Sequence, residues 1–167
     1  NPKKLLESGE LKKYEYSDGR YCIVSPGSIK DIYEEGIVLK HCIHTCDIYF
    51  QRMDIRETYL LFLRRTDKPD VPWYTLEIEP GGNIRQKKSV LNEAYKDLDD
   101  AMPFLKKWQQ WVKKNLSAKD KKLAEKSDKA RKDGYKQLRE EKKLIWHGRL
   151  QGTLLADALE NDFMEVV

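Results

Sequence analysis

Long apolar runs are missing from this chain of 167 residues, and no window approaches the ~18–20 consecutive apolar residues that a membrane-spanning helix needs. No basic stretch leading into an apolar one opens it either. A cytoplasmic protein without a membrane partner is the expectation. Cysteine is scarce too: Cys22, Cys42 and Cys46 are an odd number without a regular framework, which argues against a disulfide scaffold and for reduced thiols. There is no internal repeat and no linker rich in Pro, Gly or Ser, so the chain does not divide into two full-sized domains. Its first residue, Asn1, is not Met, and we expect a piece of a longer protein.

What is present is charge. Charged residues make up 36% of the chain and hydrophobic ones 40%, with a mean hydropathy of −0.78, so part of the chain has little to bury. The net charge of +4 is too small to establish nucleic-acid binding by itself, and its distribution matters more.

Along the chain, residues 5–13 suggest a short helix or arm. Tyr14-Glu15-Tyr16 and Tyr21-Cys22-Ile23-Val24 are β-prone runs around Asp18-Gly19, a hairpin signal. Pro26-Gly27 closes the hairpin, and Ser28 with Asp31 three residues later opens a short helix that Gly36 should stop. A second helix is then expected to carry His41 to Met53, with Cys42, Cys46, Tyr49 and Met53 on its inner face. Tyr59-Leu60-Leu61-Phe62-Leu63, the alternating 73–78 run, and 83–86 after Pro80-Gly81-Gly82 read as a three-stranded meander. Phe104, Leu105, Trp108, Trp111 and Val112 recur at helical spacing and should anchor on the sheet. From 113 to 143 lysines dominate, and the helix should leave the core as a charged arm, broken at Gly134.

The fold class expected is therefore α+β: a β-hairpin, two helices, an antiparallel three-stranded β-meander, then a long basic helix and a C-terminal helical tail. Residues 1–112 form the core and 113–167 the extension. The tail's Leu154, Leu155, Ala158, Leu159, Phe163 and Met164 form an apolar helical pattern that needs a cover. If it docks on a protein partner, these side chains should lie exposed in the isolated chain.

His41-Cys42-Ile43-His44-Thr45-Cys46 places two imidazoles and two thiols within six residues and invites a zinc reading. On one continuous helix, however, the four point around the cylinder and cannot converge on a tetrahedral ion, and no second ligand pair follows. No metal and no cofactor are expected, and Cys42 and Cys46 read as packing residues. His41, off the apolar stripe, is a general acid or base if it faces a cleft, and otherwise a structural histidine. The meander adds Arg64 at the end of its first strand, Thr75 and Glu77 on one side of the second, and Gln86 on the third. An imidazole, an arginine, a carboxylate and an amide could then meet across the sheet. The competing reading is a solvated sheet face with ordinary charge pairs.

The ordered set made by the 36–43 run, Tyr49, the 60–64 strand, Pro72-Trp73-Tyr74-Thr75-Leu76-Glu77-Ile78, Ile84-Arg85-Gln86 and Asn92 resembles the PcfJ-like family, proteins of conjugative plasmids, phages and related bacterial mobile elements. The resemblance spans roughly residues 20 to 115. Where the family carries a basic residue and glycine after the Gln, this chain has Lys87-Lys88-Ser89, so the loop holding Asn92 should differ. The resemblance implies a bacterial mobile-element context with DNA or RNA partners and names no reaction. It also implies that His41, Arg64, Thr75, Glu77, Gln86 and Asn92 form one site.

The leading expectation is a domain associated with nucleic acid or nucleotide, whose His/Arg/Glu/Gln cleft binds phosphate through Arg64, Thr75, Gln86 and Asn92. Lys113, Lys114, Lys121 and Lys122 would supply diffuse contacts to a phosphate backbone. One alternative is a metal-independent nuclease using His41 and Glu77 as acid and base. The other is a non-catalytic module that docks through the tryptophan helix and the C-terminal tail.

Overall fold

A computed structural model describes residues 1–167. Five antiparallel strands, β1 (Tyr16–Ser17), β2 (Tyr21–Val24), β3 (Tyr59–Arg65), β4 (Tyr74–Ile78) and β5 (Ile84–Lys88), lie in chain order in one sheet. The hairpin and the meander, expected as separate pieces, are one structure because β2 pairs with β3, Cys22 opposite Arg64 and Val24 opposite Phe62. The hairpin turn forms as its sequence directs: Asp18 accepts from the amides of Arg20 and Tyr21 at 2.9 and 2.8 Å, and Gly19 takes φ +91°. The first strand is shorter than expected. Tyr14 belongs instead to a 3-10 turn over Glu10–Tyr14, following helix α1 (Lys3–Glu7), and its buried hydroxyl donates to the Pro80 carbonyl.

Alternation along the strands sorts side chains onto two covered faces. On one face, Ile23, Tyr59, Leu61, Leu63, Tyr74, Leu76 and Ile78 meet Leu6, Leu11 and Tyr14 together with Phe104, Leu105 and Trp108 of helix α4 (Met102–Lys114). Trp108 fits this apolar layer because its indole donates to the Tyr14 carbonyl at 2.8 Å. On the other face lie Leu60, Phe62, Arg64, Thr75, Glu77 and Gln86, under helix α2 (Ile29–Leu39), a 3-10 turn over Ile43–Thr45 and helix α3 (Asp47–Asp54). With both faces covered, β3 is a continuous apolar run.

The segment between α2 and α3 departs most from expectation. Ser28 caps α2 by accepting from the Asp31 amide, but the helix runs through Gly36 to Leu39. Gly36 serves close packing: a Cβ there would sit 1.9 Å from Nδ1 of His44. The helix stops at Lys40, which adopts left-handed φ +53°. No single helix carries residues 41–53, so the argument from a continuous cylinder does not describe this region. Nor are Cys42 and Cys46 core residues: Cys42 is exposed and Cys46 half-buried.

The basic segment also behaves differently. The break falls at 115–117, where Ser117 caps helix α5 (Ala118–Glu140), and the helix runs unbroken through Gly134. It turns back against the sheet, burying Asp120, Ser127 and Arg131. Residues 144–154 form a small hairpin, and helix α6 (Leu155–Asp162) returns the chain to the edge strand, where Ile84 and Met164 exchange backbone hydrogen bonds of 2.9 and 2.8 Å. The tail does not stay exposed. Ala156 is buried, Leu154, Leu155, Ala158, Leu159, Phe163 and Met164 are partly covered, and the Phe163 ring lies 4.1 Å from the Arg131 guanidinium.

Candidate functional site

The α2–α3 corner builds a buried polar layer onto the second sheet face. Left-handed Lys40 turns the chain inward, so that His41, only 2% exposed, reaches β4, where Nε2 and the Thr75 hydroxyl are hydrogen-bonded at 2.8 Å. Burial pulls the imidazole down to a pKa of about 4, and the neighbouring His44 and Lys88 add to that pull. His41 is thus neutral at pH 7, and its Nδ1 has no hydrogen-bond partner. His44 stands beside it, ring centroids 6.4 Å apart, but no group of three or more His, Cys, Asp or Glu side chains gathers here as a metal ion would need.

Glu77, two residues along β4, is fully buried and accepts from three donors: the Thr58 hydroxyl at 2.7 Å, Arg52 Nη1 at 2.9 Å and Gln86 Nε2 at 3.0 Å. Gln86 lies opposite Glu77 in the β4–β5 register, and its amide oxygen accepts from the Tyr49 hydroxyl at 3.2 Å. Burial and the Glu77 charge push the Tyr49 phenol above its ordinary value, which keeps it a neutral donor.

Arg64 projects onto the same face but is engaged elsewhere. Both its terminal nitrogens donate to Glu35 of α2 at 2.5 Å, in a bidentate pair buried on both sides, while its Nε is unpartnered. Burial raises the Glu35 carboxyl from its ordinary value against the lowering pull of Arg64. Asn92 does not reach the layer. It is exposed, at φ +64°, and its backbone carbonyl accepts from Lys88 at 3.5 Å.

His41, Arg64, Thr75, Glu77 and Gln86 therefore share one face, yet they divide into three separately satisfied groups: His41 with Thr75, Arg64 with Glu35, and Glu77 with Arg52, Thr58, Gln86 and Tyr49. Sequence reasoning did not anticipate Glu35, Arg52 and Thr58. For Glu35 a signal exists, since Ile32, Glu35, Gly36 and Leu39 occupy the inward stripe of α2, where an acid requires a buried cation.

A second polar cluster pins α5. The β4–β5 pairing steps from Ile78–Ile84 to Glu77–Gln86, which leaves Arg85 as the extra residue of a bulge. Arg85 donates to Glu79 and Glu57 at 2.7 Å each and to the Ser127 carbonyl at 3.0 Å. Glu79 also holds Arg131 of α5 at 2.5 Å.

Beyond these anchors the end of α4 and the first half of α5 turn their free charge outward. Lys113, Lys114, Lys119, Lys121, Lys122 and Lys126 are exposed, and none makes an ion pair, whereas Lys129 and Lys132 are held by Asp133 and Asp128 at 2.6 and 2.7 Å. Lys119, Lys122 and Lys126 line a shallow groove of about 380 Å³ with Ala118 and Leu123. Between residues 113 and 126, six lysines face two acids, a surplus of +4 that equals the net charge of the whole chain.

Fold and site together define a class: an α+β domain whose single antiparallel sheet is apolar on one face and carries a buried polar layer on the other. Over residues 2–102, more than half its length, the chain matches a family model described as PcfJ-like protein, and it belongs to that family. No curated protein and no solved structure matches.

Proposed function

We propose that this chain is a nucleic-acid-associated domain, working in the mobile-element setting that the family resemblance implies, and that it holds a phosphate backbone on the outer face of the α4–α5 turn. One observation carries the reading: residues 113–126 hold a local surplus of +4, on exposed lysines without carboxylate partners. Phosphate contacts of this kind release counterions and hold without reference to sequence. The buried layer is a weaker phosphate site, because Arg64 is neutralised by Glu35 and Glu77 is filled by its own donors. That layer instead fixes the register of α2, α3 and the sheet.

Binding of labelled duplex DNA, single-stranded DNA and RNA across a salt series tests the proposal. Affinity should fall steeply with salt, and replacing Lys119, Lys122 and Lys126 by Gln should flatten the duplex slope by about 0.9 for each phosphate no longer neutralised. Salt-indifferent affinity, or an unchanged slope in the variant, sinks it.

A second reading, phosphodiester cleavage without a metal, draws on the neutral His41 with its unpartnered Nδ1. It requires the 42–46 turn to lift, because His41 and Glu77 are both buried. Cleavage of labelled RNA or DNA that persists in EDTA and vanishes in His41→Ala would favour it.

A further inference from the structure

Trp146 is the outlier among the four tryptophans. Trp73 and Trp108 are buried and Trp111 packs against Tyr16 at 5.0 Å, whereas Trp146 is 80% exposed and stacks on nothing in the chain. Its position is nevertheless built. Leu144 pairs with Leu154, the Ile145 amide donates to the Thr153 carbonyl and the Gly152 amide to the Ile145 carbonyl, both at 3.0 Å, so residues 144–154 are a closed hairpin with Trp146 near its tip. Gly148 and Gly152, at φ +89° and +85°, make the reversals. Leu144 and Leu150 are exposed beside it in sequence.

Charge selects the occupant. Lys142, Lys143 and Arg149 fall between residues 142 and 156, a stretch that contains no acid. Arg149 has only a loose, exposed contact with Glu93 at 3.6 Å, too weak to commit its guanidinium. An indole held out by a closed turn and flanked by cations suits a nucleotide, whose base stacks on the ring while its phosphate meets Lys and Arg. The bases of a duplex are already stacked on one another and offer no free face. The hairpin follows directly on α5, so it lies roughly 26 Å along the helix from Leu123 in the lysine groove, given a rise of about 1.5 Å per residue.

We propose that the 144–154 hairpin is a stacking platform for an unpaired base, which makes single-stranded nucleic acid the partner class. The inference rests on the basic-face reading above, with the lysine groove holding the backbone and Trp146 choosing single strands over duplex.

The test compares the full chain with Trp146→Ala and Trp146→Phe, using a 15-nucleotide oligothymidine and a duplex of equal length. Trp146→Ala should weaken the single strand by about tenfold, leave the duplex unchanged and keep the salt slope. Trp146→Phe should retain most of the affinity, while the tryptophan fluorescence quench expected of the wild type on binding the single strand should be lost. Equal losses on both ligands, or none on the single strand, overturn the platform and leave the lysine groove standing. If the wild type binds neither ligand even at low salt, the basic-face reading fails and the platform falls with it.

Discussion

Arg64 and Glu35 meet in a bidentate pair, both contacts 2.5 Å, with the two side chains 7% and 3% exposed between β3 and α2. A guanidinium so held is committed to the fold. Removing one member strands the other: Arg64→Met should cost about 3–5 kcal/mol in urea unfolding, while Arg64→Met with Glu35→Leu should recover most of that loss. The double variant should also bind nucleic acid like the wild type. A well-folded double variant that has lost binding would return Arg64 to the ligand.

The pair shows where sequence reading reaches its limit. Strand β3 was legible because a sheet covered on both faces needs an uninterrupted apolar run, and the hairpin because Asp18-Gly19 accepts the positive-φ backbone of a tight turn that few other residue pairs tolerate. Alternation alone puts Thr75 and Glu77 on one side of β4, whereas the presence of Arg64 and Gln86 on that same face follows from the pairing register of β3, β4 and β5, which no single strand's pattern gives. Their partners were not legible, since Glu35, Arg52 and Thr58 come from other elements and hydrogen bonding across a fold leaves no periodicity. The α2–α3 corner departs from its sequence pattern for a local reason: Lys40 takes a left-handed conformation that nothing in lysine announces, and Gly36, which resembles a helix stop, makes room for His44. The buried face of α5 was hidden because Arg131 and Ser127 look like any other members of a charged helix.

Gly36 offers a direct check of that corner. Alanine in a helix interior ordinarily stabilises by about 1 kcal/mol over glycine. Here its Cβ would fall 1.9 Å from His44 Nδ1, so Gly36→Ala should instead destabilise by about 1–3 kcal/mol. Adding His44→Ala should reverse the sign of the Gly36→Ala effect, measured as a double-mutant cycle in urea.

His41 makes a prediction about pH. Its folded pKa of about 4 lies below the ordinary 6.5, so between those values the unfolded chain binds the extra proton. Stability should therefore hold above pH 6.5, fall as pH drops from 6.5 to about 4, and lose nothing further through this group below that, with a total of at most about 3 kcal/mol. Unfolding of the wild type and of His41→Gln at pH 7, 5.5 and 4 isolates the contribution of His41, because most other titrations are shared. The stability difference between them should narrow or invert as pH falls, and parallel curves would refute the burial argument.

The anchoring of α5 should be separable from the stability of the sheet. Glu79, 1% exposed, accepts from Arg85, Arg131 and Asn83, so it ties the β4–β5 turn and its bulge to the helix. Glu79→Gln keeps the shape but removes the charge, leaving two buried guanidinium groups short of an anion. Arg85 retains Glu57 at 2.7 Å and the Ser127 carbonyl, and Arg131 retains Asp128, so the damage should concentrate where the helix meets the sheet. Hydrogen exchange should speed up across residues 118–140 and the 155–164 segment that packs beside them, while the amides of β2, β3 and β4 keep their protection. Salt-dependent nucleic-acid binding should weaken in the same variant although every exposed lysine is present, because a loosened α5 no longer holds its cations in a fixed array. Uniform loss of protection over the whole chain would instead make α5 part of one cooperative core.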